Sequence, residues 1–132
     1  MGDRVTYVFE QKYSHPIFLY GHWAGHNMMA NLADAIQFAM PRIQMEDEPY
    51  ATRMMISHLI GSEWAHETGW GLSTYYCDSE HSVPVISVRD KTVKLLPQPA
   101  GFSDKFDINA DPKFVMDLDS FVKKFSKSLT FA

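Results

Sequence analysis

Two histidines and one tryptophan, residue types that hold metals or stack on ligands, occur together in LYGHWAGHNMMANLADAI, from Leu19 to Ile36. The stretch predicts the end of a strand, a tight turn with two glycines and then a helix. Imidazole nitrogens ligate metals, indole rings stack on planar molecules, and a helix N-terminus attracts anions. His22, Trp23 and His26 are therefore the first candidates for a binding site.

A metal site is the first interpretation of these residues. It would use His22 and His26, with His66 and Glu67 approaching from another segment. The two histidines of the corner fall on either side of a glycine, and the chain has no His-Glu-x-x-His motif. We therefore predict no metal ligand and no cofactor.

A ligand-binding corner is the interpretation that uses most of these residues. In it, Gly21 and Gly25 let the backbone approach the ligand. The N-terminus of a helix beginning near Asn27 meets an anionic group, while His22 and Trp23 contact a ring. The structural alternative is that Trp23 is a buried corner residue, because tryptophan is usually largely buried.

Three further residues join the candidate set if the chain brings them to the same edge. Arg42 and Arg53 suit bidentate contacts to phosphate, and Trp70 offers another stacking face. The arginines also have ordinary structural interpretations. Arg42 would serve the C-terminus of the first helix, and Arg53 would pair with Glu46 or Asp47.

Catalytic motifs are absent from the sequence. There is no Gly-x-Ser-x-Gly, no phosphate-binding loop and no dinucleotide fingerprint, and nothing in the sequence places a base beside Cys77. We therefore name no catalytic residue, and the sequence favours a binding protein over an enzyme.

Length and charge restrict the class of protein. The 132 residues, 45% hydrophobic and 21% charged, predict a single globular domain over 1–132. A net charge of -4 argues against binding to long nucleic acids. The single cysteine and the lack of a signal-like or membrane-spanning segment predict a cytoplasmic protein without a membrane partner.

The pattern of apolar residues predicts elements in the order ββααβββα. They are strands over 4–11 and 16–23, a helix from about Asn27 to Pro41, a helix from Pro49 to Gly61, strands over 69–76, 83–88 and 92–96, and a C-terminal helix over about 117–129. Because strands and helices do not alternate, we expect an α+β fold: a mainly antiparallel sheet with helices packed on one face.

The C-terminal helix is predicted to be amphipathic. Its apolar side chains recur at helical spacing, and acids precede lysines along it, as the helix dipole favours. We expect this face to pack on the sheet, with a dimer contact as the alternative. The face consists of Leu118, Phe121, Val122, Phe125 and Leu129.

Three segments, FLYGHWAGHNMMANLADAI, PRIQMEDEPYATRMMISHLIG and ETGWGLS, resemble a family of small uncharacterised proteins carried by bacteriophages, prophages and plasmids. In that family a strand ending in Tyr-Ser-His-Trp-Gly-Gly precedes a helix, and Pro-Arg, Ala-Thr-Arg and Thr-Gly-Tyr-Gly-Leu segments follow. Gly21, Ala24 and His58 differ from the pattern, so the resemblance lends no metal ligand. It implies a mobile-element setting and interference with a host process, including the binding of nucleotide signals by anti-defence proteins.

The sequence predicts a small cytoplasmic binding protein, and the resemblance implies an accessory protein of phage or mobile-element type that interferes with host defence. It would bind a small anionic or nucleotide-like ligand, or a host defence protein. Two other classes stay open: a metal-assisted phosphodiester hydrolase, and a protein-protein inhibitor without a small-molecule ligand. Homo-oligomer formation is compatible with each of them.

Overall fold

The computed structural model describes residues 2–99 and 106–126, which form six strands and three helices. A single 3-10 turn, Gly61–Glu63, follows the second helix. No helix in these ranges is long and apolar enough to cross a membrane. The elements are β1 (Val5–Phe9), β2 (Ile17–Gly21), α1 (Met28–Gln44), α2 (Glu48–Ile60), β3 (Trp70–Ser73), β4 (Val83–Ser87), β5 (Thr92–Leu96), β6 (Phe114–Asp117) and α3 (Leu118–Phe125).

All six strands form one sheet in the order β3-β2-β1-β4-β5-β6. Neighbouring strands are antiparallel except β1 and β4, which pair in parallel. The predicted α+β class and the mainly antiparallel sheet are confirmed. The element order is matched only roughly, because β6 adds a strand directly before α3.

The sheet buries side chains on both of its faces. Successive residues of a strand point to opposite sides, so Tyr7 and Phe9 pack under the helices while Val8 packs on the other face. Irregular segments cover that second face. There the rings of Tyr76 and Phe106 stack with their centroids 5.3 Å apart.

Helix α1 continues past Pro41, where the sequence predicted its end, to Gln44. Proline removes one backbone hydrogen bond from a helix, but Ile43 in the last turn is fully buried. This packing outweighs the missing hydrogen bond, so the predicted end was wrong. At the other end, Asn27 directly precedes the helix as predicted. Its backbone is in a left-handed conformation (φ 60°), and its side chain makes no capping hydrogen bond.

The two other helices begin with capping aspartates. The Asp47 carboxylate accepts a hydrogen bond from the Tyr50 backbone N–H at the start of α2, and Asp117 accepts one from Ser120 at the start of α3. This hydrogen bonding to Ser120 lowers the pKa of the Asp117 carboxyl. Gly61 ends α2 as predicted.

The apolar face of α3 packs against the core, as the sequence predicted. Leu118, Phe121 and Val122 are buried, and Phe125 is partly buried against the same cluster. The described part of the helix ends at Phe125, so Leu129 of the predicted face lies outside the described residues.

Candidate functional site

The corner between β2 and α1 is held by backbone hydrogen bonds from two other segments. The Asp3 N–H donates to the His22 carbonyl (2.8 Å), and the Gly25 N–H donates to the Asp3 carbonyl (3.0 Å). On the other side, the His22 N–H donates to the Gly69 carbonyl (2.8 Å). The position of His22 and Trp23 is therefore fixed by the N-terminal segment and by the approach to β3.

The indole of Trp23 is exposed at this corner, with 60% of its surface accessible. The imidazole of His22 meets it edge to face, with ring centroids 4.6 Å apart and planes at 88°. Gly69 has a φ of 105°, and a Cβ atom added there would lie 3.6 Å from the same ring. The interpretation of Trp23 as a buried packing residue is wrong, because the indole is held in place at the surface.

His22 is oriented by a tyrosine two residues earlier in the chain. The hydroxyl of Tyr20 lies 2.7 Å from His22 Nδ1. Burial raises the pKa of Tyr20, so the phenol keeps its proton at neutral pH. When Nδ1 carries no hydrogen, the phenol donates to it, and the imidazole hydrogen is then on Nε2.

These side chains line an open cleft of about 370 Å³, a volume suited to a small molecule. Two tryptophans, one histidine, one tyrosine and one threonine are among its lining residues, and no lysine or arginine is. The cleft thus offers aromatic surface with a few hydrogen-bonding groups. Its lining residues are Tyr20, His22, Trp23, Thr68, Gly69, Trp70 and Gly71.

Gly21 makes room for protein side chains rather than for a ligand. A Cβ atom at this position would lie 2.7 Å from Ala24 Cβ and 2.9 Å from Trp70 Cζ3. The indole of Trp70 therefore packs over the backbone of Gly21, while its Nε1–H donates to Glu63 (2.7 Å). The prediction that this glycine lets the backbone approach a ligand was wrong.

The space beside Gly25 is filled in the same way, by two side chains that are hydrogen-bonded to each other. His81 Nε2 lies 2.6 Å from Asp3 Oδ1, and a Cβ atom at Gly25 would clash with both side chains. Arg4 joins the same loop to β1 through its 2.7 Å ion pair with Asp78. The second glycine thus lets the N-terminal segment and the loop before β4 close on the corner, which also corrects its predicted role.

The structure brings three of the six predicted site residues together. His22, Trp23 and Trp70 line the cleft, whereas His26 is exposed beside Asn27 and does not line it. Residues at the N-terminus of α1 are likewise not part of the lining.

The two predicted arginines lie elsewhere. Arg42 is at the far end of α1, about 20 Å along the helix from its start, where it pairs with Asp47 (3.0 Å) and stacks on Tyr50. This confirms its structural interpretation. Arg53, on α2, lines a different groove and forms no ion pair within the described residues. Its predicted pairing with Glu46 or Asp47 was wrong, since neither carboxylate pairs with Arg53 and that of Asp47 binds Arg42 instead.

Sequence reasoning missed Tyr20 and Thr68 as cleft residues. Tyr20 had a signal: it lies two residues before His22, so the two side chains share one side of a strand. Thr68 had none, because it reaches the cleft only through the pairing of β3 with β2.

Across 2–99 and 106–126, no three residues among His, Cys, Asp and Glu are arranged to hold a metal ion.

Comparison of the chain with protein-family models, curated proteins and solved structures finds no match in any of the three.

Proposed function

We propose that this chain is a small binding protein that holds a planar aromatic ligand, of the nucleobase or nucleoside class, in the cleft beside Trp23. The observation that carries the proposal is the exposed indole fixed edge to face by His22. A ring that is already held in place loses little conformational freedom when a ligand stacks on it. Base stacking on aromatic side chains is a general mode of nucleotide recognition.

The lining of the cleft supports a ring rather than a phosphate as the recognised group. Neither Arg42 nor Arg53 lines it, and the ring nitrogens and oxygens of a base match the His22, Tyr20 and Thr68 side chains. The net charge of -4 further disfavours a long nucleic acid strand as the ligand. The proposed ligand is therefore a free base, nucleoside or weakly charged derivative.

The setting we propose is accessory rather than catalytic. The resemblance to small phage, prophage and plasmid proteins supports a role in the host cytoplasm, where sequestering a nucleotide-derived signal would interfere with host defence. A metal-assisted phosphodiester hydrolase would need a set of metal ligands, and no group of three His, Cys, Asp or Glu residues suited to a metal lies within 2–99 and 106–126. Retention of an unaltered ligand is the outcome that separates binding from turnover.

Trp23→Ala is expected to weaken binding of the best nucleoside by about tenfold or more, the usual loss for one stacking contact. The probes are the four common ribonucleosides and their monophosphates, titrated by calorimetry. Because Trp23 is exposed, the melting temperature should change little.

Trp64→Ala is the matched control, since Trp64 is 51% exposed but does not line the cleft. It should bind as the wild type does. Failure of the wild type to bind any probe, or an equal loss of affinity in both variants, would contradict the proposal.

A further inference from the structure

Strand β3 is an open edge of the sheet. Gly21 lies opposite Trp70 in the antiparallel register, and the bond from the His22 N–H to the Gly69 carbonyl fixes which residues of β3 bond to β2. By the alternation of an antiparallel pair, Gly71 bonds inward to β2, whereas Trp70 and Leu72 direct their N–H and C=O groups outward. No other segment within the described ranges hydrogen-bonds to these outward groups.

Large apolar side chains surround this edge. Leu72, within β3, is 52% exposed. Trp64 is exposed beside Leu72, and Tyr75 is exposed just after the end of β3. Exposed apolar side chains next to unpaired backbone groups are typical of a surface that another strand covers.

The charge pattern allows this edge to pair with itself. Proteins usually protect an edge strand with charged residues, yet 68–76 (TGWGLSTYY) contains no charged side chain. The opposite edge strand, β6, does carry charged residues: Lys113 directly precedes it and Asp117 is its last residue. Self-pairing brings the strand against an identical strand, so the lack of charged side chains avoids like-charge repulsion between the two copies.

We propose that β3 pairs antiparallel with β3 of a second copy of the chain, about a two-fold axis that passes through Gly71. In this register Trp70 of one copy exchanges two backbone hydrogen bonds with Leu72 of the other. The two-fold axis generates the same two bonds between Leu72 of the first copy and Trp70 of the second. Trp70 and Leu72 are two residues apart, so their side chains share one face and form an apolar pair on each side of the axis. No atom lies within 4 Å of a Cβ position at Gly71, so the residue on the proposed axis has free space beside it.

Leu72→Pro tests the backbone pairing, because it removes an outward N–H while the N–H groups of Gly71 and Ser73 still face β2. Sedimentation equilibrium should show a concentration-dependent dimer for the wild type and at least tenfold weaker association for Leu72→Pro. Leu72→Thr retains the N–H and is the control, which should still dimerise. Circular dichroism checks that each variant is folded.

Gly71→Cys in a Cys77→Ser background tests the register independently. Directly opposed residues of a non-hydrogen-bonded pair have Cα atoms about 4.5 Å apart, within the range of a disulfide. Gly71→Cys should therefore form an intersubunit disulfide under mild oxidation, whereas Ser73→Cys, opposite Gly69 of the other copy, should not. A wild type that stays monomeric, a dimer unaffected by Leu72→Pro, or equal crosslinking of both cysteine variants would overturn the proposal. A monomer would leave the edge to a strand of another protein.

Discussion

Phe121→Asp is expected to lower the free energy of unfolding by about 3–5 kcal/mol, the range for removing a buried phenylalanine, with the buried carboxylate adding to the loss. Phe121 is fully buried and belongs to the core cluster shared by the sheet, α1 and α3. Its ring also contacts Phe125 at a centroid distance of 4.7 Å. Urea denaturation followed by circular dichroism measures the change.

Lys123→Asp is the control for this substitution. It introduces the same side chain two residues later in α3, at an exposed position, and should lower stability by no more than about 1 kcal/mol through the helix dipole. If Phe121→Asp unfolds at the same urea concentration as Lys123→Asp, α3 is not docked on the sheet.

Gly21→Ala is expected to lower stability by about 1–3 kcal/mol, the usual effect of overpacking. The added methyl group would lie 2.7 Å from Ala24 Cβ and 2.9 Å from the Trp70 ring, so one of them must move. Displacement of Trp70 would also change the wall of the cleft. Thermal melts and nucleoside titration should therefore both respond.

Gly71→Ala supplies a matched comparison on the neighbouring strand. Gly71 lies opposite Tyr20, one position along from the Gly21 pair, and its Cβ site is open. Alanine there should be neutral or slightly stabilising, because it reduces the conformational freedom of the unfolded chain. Equal destabilisation by both substitutions would show that the steric account of Gly21 is wrong.

Local sequence patterns predicted most of the fold. Alternating side chains and turn residues sufficed for the hairpin of β1 and β2, and apolar spacing sufficed for the docked face of α3. β6 was missed because its four residues run directly into α3, without a turn between them. The helix was predicted to end at Pro41 because proline locally disfavours helix. The burial of Ile43 two residues later stabilises the last turn, so the helix continues.

The candidate site was only partly predictable for a different reason. His22 and Trp23 are neighbours in sequence, so their shared corner followed from a local pattern. The positions of Trp70 and Arg53 depend on how β3 and α2 sit against β2, which no local pattern encodes. Gly21 and Gly25 indicated a close approach to the backbone at both positions. Only the three-dimensional arrangement shows that Trp70 makes this approach at Gly21 and His81 makes it at Gly25.

The parallel pairing of β1 with β4 determines when the two halves of the sheet can join during synthesis. Val8 lies opposite Val85, so the central seam of the sheet cannot form until β4 has left the ribosome, after β1, β2, both intervening helices and β3. Until then β1 has its partner β2 on one side and an open edge on the other, and such non-local pairing folds slowly. Until β4 emerges, the nascent chain thus presents a strand of the kind that is buried in the folded protein, VTYVF, to its surroundings.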